Sequence, residues 1–147
     1  MKCLRPAVMS EPLIDVVPSN QIITNNCKIL ELDLYTCKKE DVEFSSSYEL
    51  TFIYSDSISG LIGWFDCEFK KLTNPVTLTT SPYCKPTHWK QTTFYTERDV
   101  SVSRGDKING SIAVRKSKTN FRELDIKISY HLKGFSNYDF TQQYKLR

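Results

Sequence analysis

Apolar and polar residues alternate along most of this chain with a period of two. The clearest run is Glu123 to Leu132, where apolar side chains occupy every second position. Successive side chains of a strand point to opposite faces of a sheet, so this run predicts a strand with one face in a core and one in solvent. The apolar set is Leu124, Ile126, Ile128, Tyr130 and Leu132.

Further runs of this kind, separated by turn-forming residues, predict a protein built of strands. Ile58 to Phe69 is apolar on both faces in its first half, which predicts a central strand bent at Gly60 or Gly63. Ser55-Asp56-Ser57 predicts a hairpin turn between this strand and the preceding one. Shorter strands are predicted at Lys28–Tyr35, Val76–Thr80, Gln91–Thr96, Val100–Val102, Gly110–Arg115 and Tyr138–Tyr144.

The number and spacing of these runs predict an all-β fold. About eight to ten short strands with turns between them are typical of a sandwich or a barrel. Lys38 to Val42 predicts a single helical turn, and no long helical period is present. We therefore expect a barrel-like antiparallel structure over residues 18–147. Residues 1–17 carry scattered apolar side chains around Pro6 and Pro12, which predicts an arm that packs on another surface.

The composition is that of one folded domain. The chain has 147 residues, of which 39% are hydrophobic and 25% charged, so it can bury a core. Its net charge of +3 is too small to predict binding to nucleic acid or to a membrane surface. No apolar run approaches the roughly 18 residues that a membrane helix needs, and the first residues lack the apolar stretch of a signal peptide.

The cysteines and histidines form no recognisable metal-binding pattern. The five cysteines are an odd number without a CxxC pair, which favours free thiols in a reducing compartment, the cytoplasm or the nucleus. Cys84 and His88 are four residues apart, a spacing that suits a metal ion on a helix. Pro82 and Pro86 disfavour a helix there, so we predict no metal site.

The stretch from Leu78 to Gln91 is unusual in its chemistry. Two prolines predict a rigid loop between strands, and this loop presents Thr87, His88 and Trp89 in succession. Because histidine titrates near neutral pH and tryptophan is costly to expose, these side chains are candidates for a functional site. The alternative is that the tryptophan only covers the end of the barrel. With no glycine-rich phosphate loop and no nucleophile triad, the chain does not have the pattern of a complete enzyme.

These residues also carry a resemblance to a known family. Ser81-Pro82 followed by Thr87 to Thr92 resembles the Thr-His-Trp loop of the protein arginine N-methyltransferases, and most closely that of the type I members, which make asymmetric dimethylarginine. Glu11 to Val17 resembles the segment that enters the carboxy-terminal barrel of these enzymes. Other stretches that match in the family's order are Asp33–Thr36, Glu40–Phe44, Gly63–Phe69 and Asn120–Asp125.

The resemblance implies one domain of an enzyme. Family members join a Rossmann-like domain, which binds S-adenosylmethionine and carries two substrate-binding glutamates, to a carboxy-terminal β-barrel. This chain resembles only the barrel, and Met1 falls inside a family motif, so we expect a piece of a longer protein from which the cofactor domain is absent. No cofactor-binding residue is assigned to the chain. Alone it is expected to be inactive and to bind no S-adenosylmethionine.

The resemblance assigns roles to the loop residues. His88 would be the catalytic histidine, paired with a carboxylate of the missing domain. Trp89 would form an apolar wall of the arginine pocket, and Thr87 would set the loop. The implied substrates are arginine-containing proteins, namely glycine- and arginine-rich proteins and histones.

The resemblance also implies an assembly. Residues 1–17 would hold part of a dimerisation arm, with Leu4, Val8 and Met9 as its apolar contacts in a homodimeric parent protein. Neither nucleic acid nor a membrane is expected as a direct partner. One alternative is a non-enzymatic β-barrel interaction module, which would bind peptide or carbohydrate through the same loop. Another is a purely structural oligomerisation domain.

Overall fold

The computed structural model describes residues 9–133 and 138–147, and in them the chain is all-β, as predicted. Two single 3-10 turns lie at Ser19–Gln21 and Lys39–Val42, the second where one helical turn was predicted. The described residues contain nine strands: β1 Leu13–Asp15, β2 Phe44–Thr51, β3 Asp56–Gly63, β4 Asp66–Phe69, β5 Val76–Thr79, β6 Gln91–Val102, β7 Lys107–Lys116, β8 Leu124–Lys133 and β9 Tyr138–Leu146.

The strands form antiparallel sheets that give the structure its barrel-like shape. One sheet has four strands in the order β2-β7-β8-β9, and another has three in the order β1-β6-β3. Strands β4 and β5 pair with each other as a separate two-stranded sheet. All of the apolar positions predicted for β8 face inward, and four of its side chains are buried: Ile126, Ile128, Tyr130 and Leu132.

The two larger sheets share one core. Phe94 of β6 meets Tyr144 of β9 edge to face, with 5.2 Å between ring centroids. The Tyr144 hydroxyl donates to the Tyr95 carbonyl at 2.9 Å, which joins the two sheets by a buried hydrogen bond. The buried apolar residues are Tyr48, Phe52, Ile58, Phe94, Val100, Val102, Ile108, Ile126, Ile128, Tyr130, Leu132 and Tyr144.

Tyrosine hydroxyls in this core are all partnered. The only proton of the Tyr144 hydroxyl is used in the hydrogen bond to the Tyr95 carbonyl, so the Tyr130 hydroxyl, 3.0 Å away, donates to the Tyr144 oxygen. The Tyr48 hydroxyl crosses Gly110 to donate to the Ser129 carbonyl at 2.9 Å. A Cβ on Gly110 would lie 1.9 Å from that carbonyl oxygen, so the crossing depends on glycine.

The predicted strand at Lys28–Tyr35 is wrong. This segment has no strand structure, and Leu34 is 77% exposed. Asp33 forms a turn instead, because its carboxylate accepts from the Tyr35 amide and its carbonyl accepts from the Thr36 and Cys37 amides. Such local hydrogen bonds compete with pairing in a sheet, which the alternation of apolar residues does not reveal.

The predicted hairpin at residues 55–57 is also wrong. Strand β2 pairs with β7 and strand β3 pairs with β6, so residues 52–55 carry the chain from one sheet to the other. The predicted strand Ile58 to Phe69 is in fact two strands, which belong to different sheets and are separated by Trp64 and Phe65. This break matters below, because Phe65 reaches the candidate site.

The two strands predicted within residues 91–102 are one strand with a bulge. Ile58 opposes Val100 but Gly60 opposes Tyr95, so β6 has extra residues there. The Thr96 hydroxyl donates to the Arg98 carbonyl at 3.0 Å and closes the bulge. Glu97 and Arg98 are exposed, which explains why the sequence pattern breaks at this place.

Candidate functional site

The residues singled out in the sequence lie in one loop, residues 80–90, between β5 and β6. We call it loop 80–90. Its first residue, Thr80, is fully buried and holds Phe65 in three ways. The Thr80 hydroxyl donates to the Phe65 carbonyl at 2.9 Å and accepts from the Phe65 amide at 3.0 Å, and the Thr80 amide donates to the same carbonyl at 3.0 Å. The start of the loop is therefore held to Phe65, which lies between β3 and β4.

The next residues of the loop form a compact turn. The Cys84 amide donates to the Ser81 carbonyl at 3.2 Å, and the Ser81 amide donates to the Thr79 hydroxyl at 3.1 Å. Pro82 lies inside this turn, where its fixed backbone angle suits the second position. The prediction of a loop shaped by proline is confirmed here.

The end of the loop is held by Gln91, the first residue of β6. Only 3% of Gln91 is exposed. Its side-chain Nε2 donates to the Thr80 carbonyl at 2.7 Å, and its Oε1 accepts from the Val17 amide at 2.8 Å. The two ends of the loop and the leading segment, residues 9–17, therefore meet at one buried amide.

Lys90 makes the turn from loop to strand. Its φ of 56° is left-handed, a conformation that non-glycine residues adopt at some cost in free energy. The Lys90 ammonium lies 3.1 Å from the Asp15 carboxylate on β1. The Val16 amide and then Lys90 hold the pKa of Asp15 below its usual value. The loop thus has a second link to the leading segment.

Aromatic rings surround the tip of the loop. Trp89 is 56% exposed and meets the Phe65 ring edge to face, with centroids 6.4 Å apart. The His88 ring stands at 79° to that of Trp89, with centroids 6.1 Å apart. Trp64 and Tyr83 form another edge-to-face pair at 6.5 Å. These rings present a partly exposed aromatic surface at the tip of the loop.

The three predicted loop residues differ in their surroundings. His88 is exposed, and no described residue hydrogen-bonds its imidazole. The Thr87 hydroxyl is buried and has no hydrogen-bond partner within residues 9–133 and 138–147. His88 can therefore accept a partner from outside the described chain, while Thr87 turns inward.

The predicted arm residues lie away from the loop or outside the described residues. The Met9 carbonyl accepts from Gln142 Nε2 at 2.7 Å, and the same nitrogen donates to the Tyr95 carbonyl. Leu4 and Val8 are not among the described residues, so their contacts stay predictions, as does the boundary between residues 17 and 18.

Sequence reasoning did not single out Phe65 or assign Gln91 a role. Phe65 is exposed and sits at a strand break that the pattern does not show. A glutamine on an inward-facing position is a signal of a buried polar contact, but its direction is known only once β6 is placed against β1 and β3.

The described residues hold no cluster of three or more metal-ligating side chains. The described cysteines Cys27, Cys37, Cys67 and Cys84 are free thiols. Cys27 and Cys84 are exposed, and Cys37 and Cys67 are partly buried. No helix in the part of the chain that the structure describes is long and apolar enough to cross a membrane.

Comparison with known proteins agrees with the resemblance seen in the loop. Residues 1–136 match the family described as "Arginine methyltransferase oligomerization subdomain". The chain is 45% identical over 127 residues to protein arginine N-methyltransferase 1 of Schizosaccharomyces pombe, covering 86% of this chain and 37% of that protein. It is 39% identical over 148 residues to protein arginine N-methyltransferase 8-B of Danio rerio, covering 100% of this chain and 35% of that protein. The chain therefore spans little more than a third of these relatives.

Solved structures show the same architecture. The chain is similar to the Trypanosoma brucei PRMT1 enzyme–prozyme heterotetrameric complex with AdoHcy, with a TM-score of 0.93 and 29% identity over 97% of this chain and 45% of that chain. It is also similar to Arabidopsis thaliana protein arginine methyltransferase 10, with a TM-score of 0.87 and 26% identity over 93% of this chain and 42% of that chain.

Proposed function

This chain belongs to the protein arginine methyltransferase family as an oligomerization subdomain, and from that premise we propose that it is the barrel, on the substrate side, of an S-adenosylmethionine-dependent protein arginine N-methyltransferase. The complete enzyme would transfer methyl groups to arginine nitrogens of proteins. The observation that supports this most is loop 80–90, which displays His88 and Trp89 on a firmly held base.

The geometry of the loop suits a role in an arginine pocket. Trp89 and Phe65 offer adjoining apolar rings, and a guanidinium is favoured over the face of such a ring. The imidazole of His88 beside them is exposed and has no hydrogen-bond partner among the described residues, so a carboxylate on the rest of the enzyme can pair with it. There it would help to take up the proton that the reaction releases.

S-adenosylmethionine does not fit the described residues themselves. The glycines of the chain that the structure describes lie in strands or in the turn at Gly105, and none follows a strand at the start of a long helix, where nucleotide-like groups are cradled. The surface grooves by Ser111 and Ser129 and by Asp33 and Cys37 do not have this form either. We therefore assign no residue of this chain to binding S-adenosylmethionine and propose that other parts of the enzyme bind it.

We also propose an assembly, substrates and a location. The leading segment would continue from a dimerisation arm in a homodimer, with Leu4, Val8 and Met9 as its apolar contacts. The fixing of Met9 by the buried side chain of Gln142 supports this, since it sets where the arm leaves the barrel. Glycine- and arginine-rich proteins and histones would be substrates in the cytoplasm or nucleus, with asymmetric dimethylarginine as the product.

A chimera tests the proposal. This chain replaces the matching region of the Schizosaccharomyces pombe relative, and transfer from S-adenosylmethionine to a glycine- and arginine-rich peptide is followed by mass spectrometry. We expect asymmetric dimethylarginine, and a loss of about 100-fold or more in kcat for His88→Ala, because general acid–base groups contribute roughly that much. His131→Ala is the matched control, since His131 is exposed on β8 and pairs with Asp139.

Three outcomes of this experiment are informative. Full activity in His88→Ala would contradict the catalytic role of His88. A folded, dimeric chimera that binds S-adenosylmethionine but methylates no arginine peptide would contradict the enzyme and favour a binding module. Equal losses in the His88 and His131 variants would point to an effect on folding.

A further inference from the structure

We propose that Gln91 is a positioning residue for loop 80–90: its buried side-chain amide ties both ends of the loop to the leading segment and so fixes where His88 and Trp89 stand. The consequence for catalysis rests on the proposed function, whereas the structural part does not. Gln91 touches neither His88 nor the Trp89 ring by any hydrogen bond that the structure records, so its action is indirect.

The contacts of Gln91 require an amide. The Thr80 carbonyl can only accept a hydrogen bond, and the Val17 amide can only donate one. The Gln91 side chain supplies a donor to the first at 2.7 Å and an acceptor to the second at 2.8 Å. An ionised carboxylate can replace only the acceptor, and a thioether can replace neither the donor nor the acceptor. This requirement also fixes the orientation of the side-chain amide.

Burial makes these hydrogen bonds matter. Gln91 and Thr80 are both nearly inaccessible to solvent. Water cannot replace a lost partner at Thr80, so its carbonyl must move to find another, while the Val17 amide, in a partly buried residue, loses its fixed position. The loop would then move at its base, where its direction is set.

A chain of contacts leads from Gln91 to the tip of the loop. Gln91 binds the Thr80 carbonyl, the Thr80 hydroxyl binds both backbone groups of Phe65, and the Phe65 ring packs against Trp89. These contacts form a closed path, because Trp89 is only two residues before Gln91 and the backbone joins the two. Cutting the path at Gln91 should therefore loosen the whole loop while the core between the sheets stays intact.

The leading segment enters the same path. β1 pairs with β6 with Asp15 opposite Gln91, and Val17 donates to the Gln91 side chain two residues later. Thus the segment that would follow the arm and the loop that would close the arginine pocket are held by one residue.

Amide hydrogen exchange on this chain tests the structural part. Gln91→Met keeps the length of the side chain and removes both hydrogen bonds, so exchange at Val17 and at the hydrogen-bonded loop amides of Ser81, Tyr83 and Cys84 should become at least about tenfold faster. Gln91→Glu should keep Val17 protected and loosen only the Thr80 side at about pH 8. At about pH 5 burial should favour a protonated carboxyl, which can donate to Thr80, so the ratio of exchange rates to the unsubstituted chain should fall back toward one. Gln143→Met on β9 is the matched control, because Gln143 is exposed.

The outcomes separate a positioning role from a general structural one. Unchanged exchange in Gln91→Met would overturn the proposal. Equally faster exchange in every strand would also overturn it, because Gln91 would then stabilise the fold as a whole. Recovery of Gln91→Glu at acid pH would support it specifically, since loss of packing does not respond to protonation.

The chimera described above tests the catalytic part. Gln91→Met should lower kcat at least about tenfold with a smaller change in KM for the peptide, measured at a temperature where the variant is folded. Unchanged kcat beside faster exchange in the loop would overturn the link to catalysis. If the unsubstituted chimera methylates no peptide, the proposed function fails, and the exchange experiment still decides whether Gln91 positions the loop.

Discussion

The two halves of strand β6 belong to regions that are stabilised in different ways. From Phe94 to Val102 the inward side chains join an apolar core between two sheets, where Tyr130 is 0% exposed. At Gln91 the strand meets loop 80–90, whose rings remain largely exposed. Apolar burial stabilises the first region, and directed hydrogen bonds of Thr80 and Gln91 hold the second.

This difference indicates how a rigid site can present apolar side chains to a partner. Burial of Trp89 in this chain's own core would hold it in place but would make it unavailable. Polar contacts at the base of the loop fix the backbone and leave the rings free. We therefore expect changes in the core to affect stability, and changes in the loop to affect binding or catalysis.

The largest contrast is expected from removing one ring in each region. Phe94→Ala should lower the free energy of unfolding by about 3–5 kcal/mol, because it leaves a cavity beside Tyr144. Trp89→Ala should change it by less than about 0.5 kcal/mol, since that ring is more than half exposed. Urea unfolding followed by circular dichroism measures both. Equal losses of stability would show that the loop is part of the core and would remove the distinction.

The next effect should appear at alkaline pH and come from the core tyrosines. Burial, with a smaller contribution from the charge of Glu97, raises the pKa of Tyr144 to about 12, although a hydrogen bond from Tyr130 opposes the shift. Burial also raises the pKa values of Tyr48 and Tyr130. The unfolded tyrosines lose their protons near pH 10 while the folded ones retain them, so their contribution to stability is constant below that pH and is lost as the pH rises further.

The loss of stability at alkaline pH can be measured through Tyr144. Each such tyrosine should lower the free energy of unfolding by about 1.4 kcal/mol per pH unit above pH 10, up to its folded pKa. Tyr144→Phe removes its share and should reduce the slope between about pH 10 and 12, at a cost of about 1–3 kcal/mol at neutral pH. Urea unfolding at several pH values gives the slope. A variant with an unchanged slope would mean that Tyr144 ionises normally in the fold.

The smallest effect is expected from the strained turn of the loop. Lys90→Gly relieves a left-handed backbone worth roughly 1 kcal/mol and removes only an exposed ion pair to Asp15. We expect a small gain in stability of up to about 1 kcal/mol, together with faster amide exchange in residues 81–90. Lys85→Gly, also on the loop and exposed, is the control. A loss of stability in Lys90→Gly alone would show that the ion pair outweighs the backbone strain.

Prediction from sequence succeeded where apolar and polar side chains alternate regularly along a strand. The period of two in β8 gave the correct inward face because each strand there has one buried side. It failed at Lys28–Tyr35, where the same alternation ends in an Asp33 turn on the surface. It also failed at residues 55–57, since a turn signal does not say whether the two strands that it joins pair with each other.

The candidate site also divides into residues that the sequence could predict and residues that it could not. Thr87, His88 and Trp89 are adjacent in the sequence, so the loop that carries them could be predicted. Phe65 is 24 residues before Trp89, and its ring contact depends on the break between β3 and β4. Gln91 adjoins the loop, but its partner Val17 is 74 residues away.

The amino-acid sequence by itself determined the all-β class, the inward faces of the long strands, the proline-shaped loop and the family to which the chain belongs. These depend on local preferences and on short motifs, which are present in the unfolded chain as much as in the folded one. Only the tertiary structure decided which strands pair, where Phe65 and Val17 meet the loop, and that a buried amide holds its base. Such contacts join distant residues, and their free energy arises only when folding removes the same groups from water.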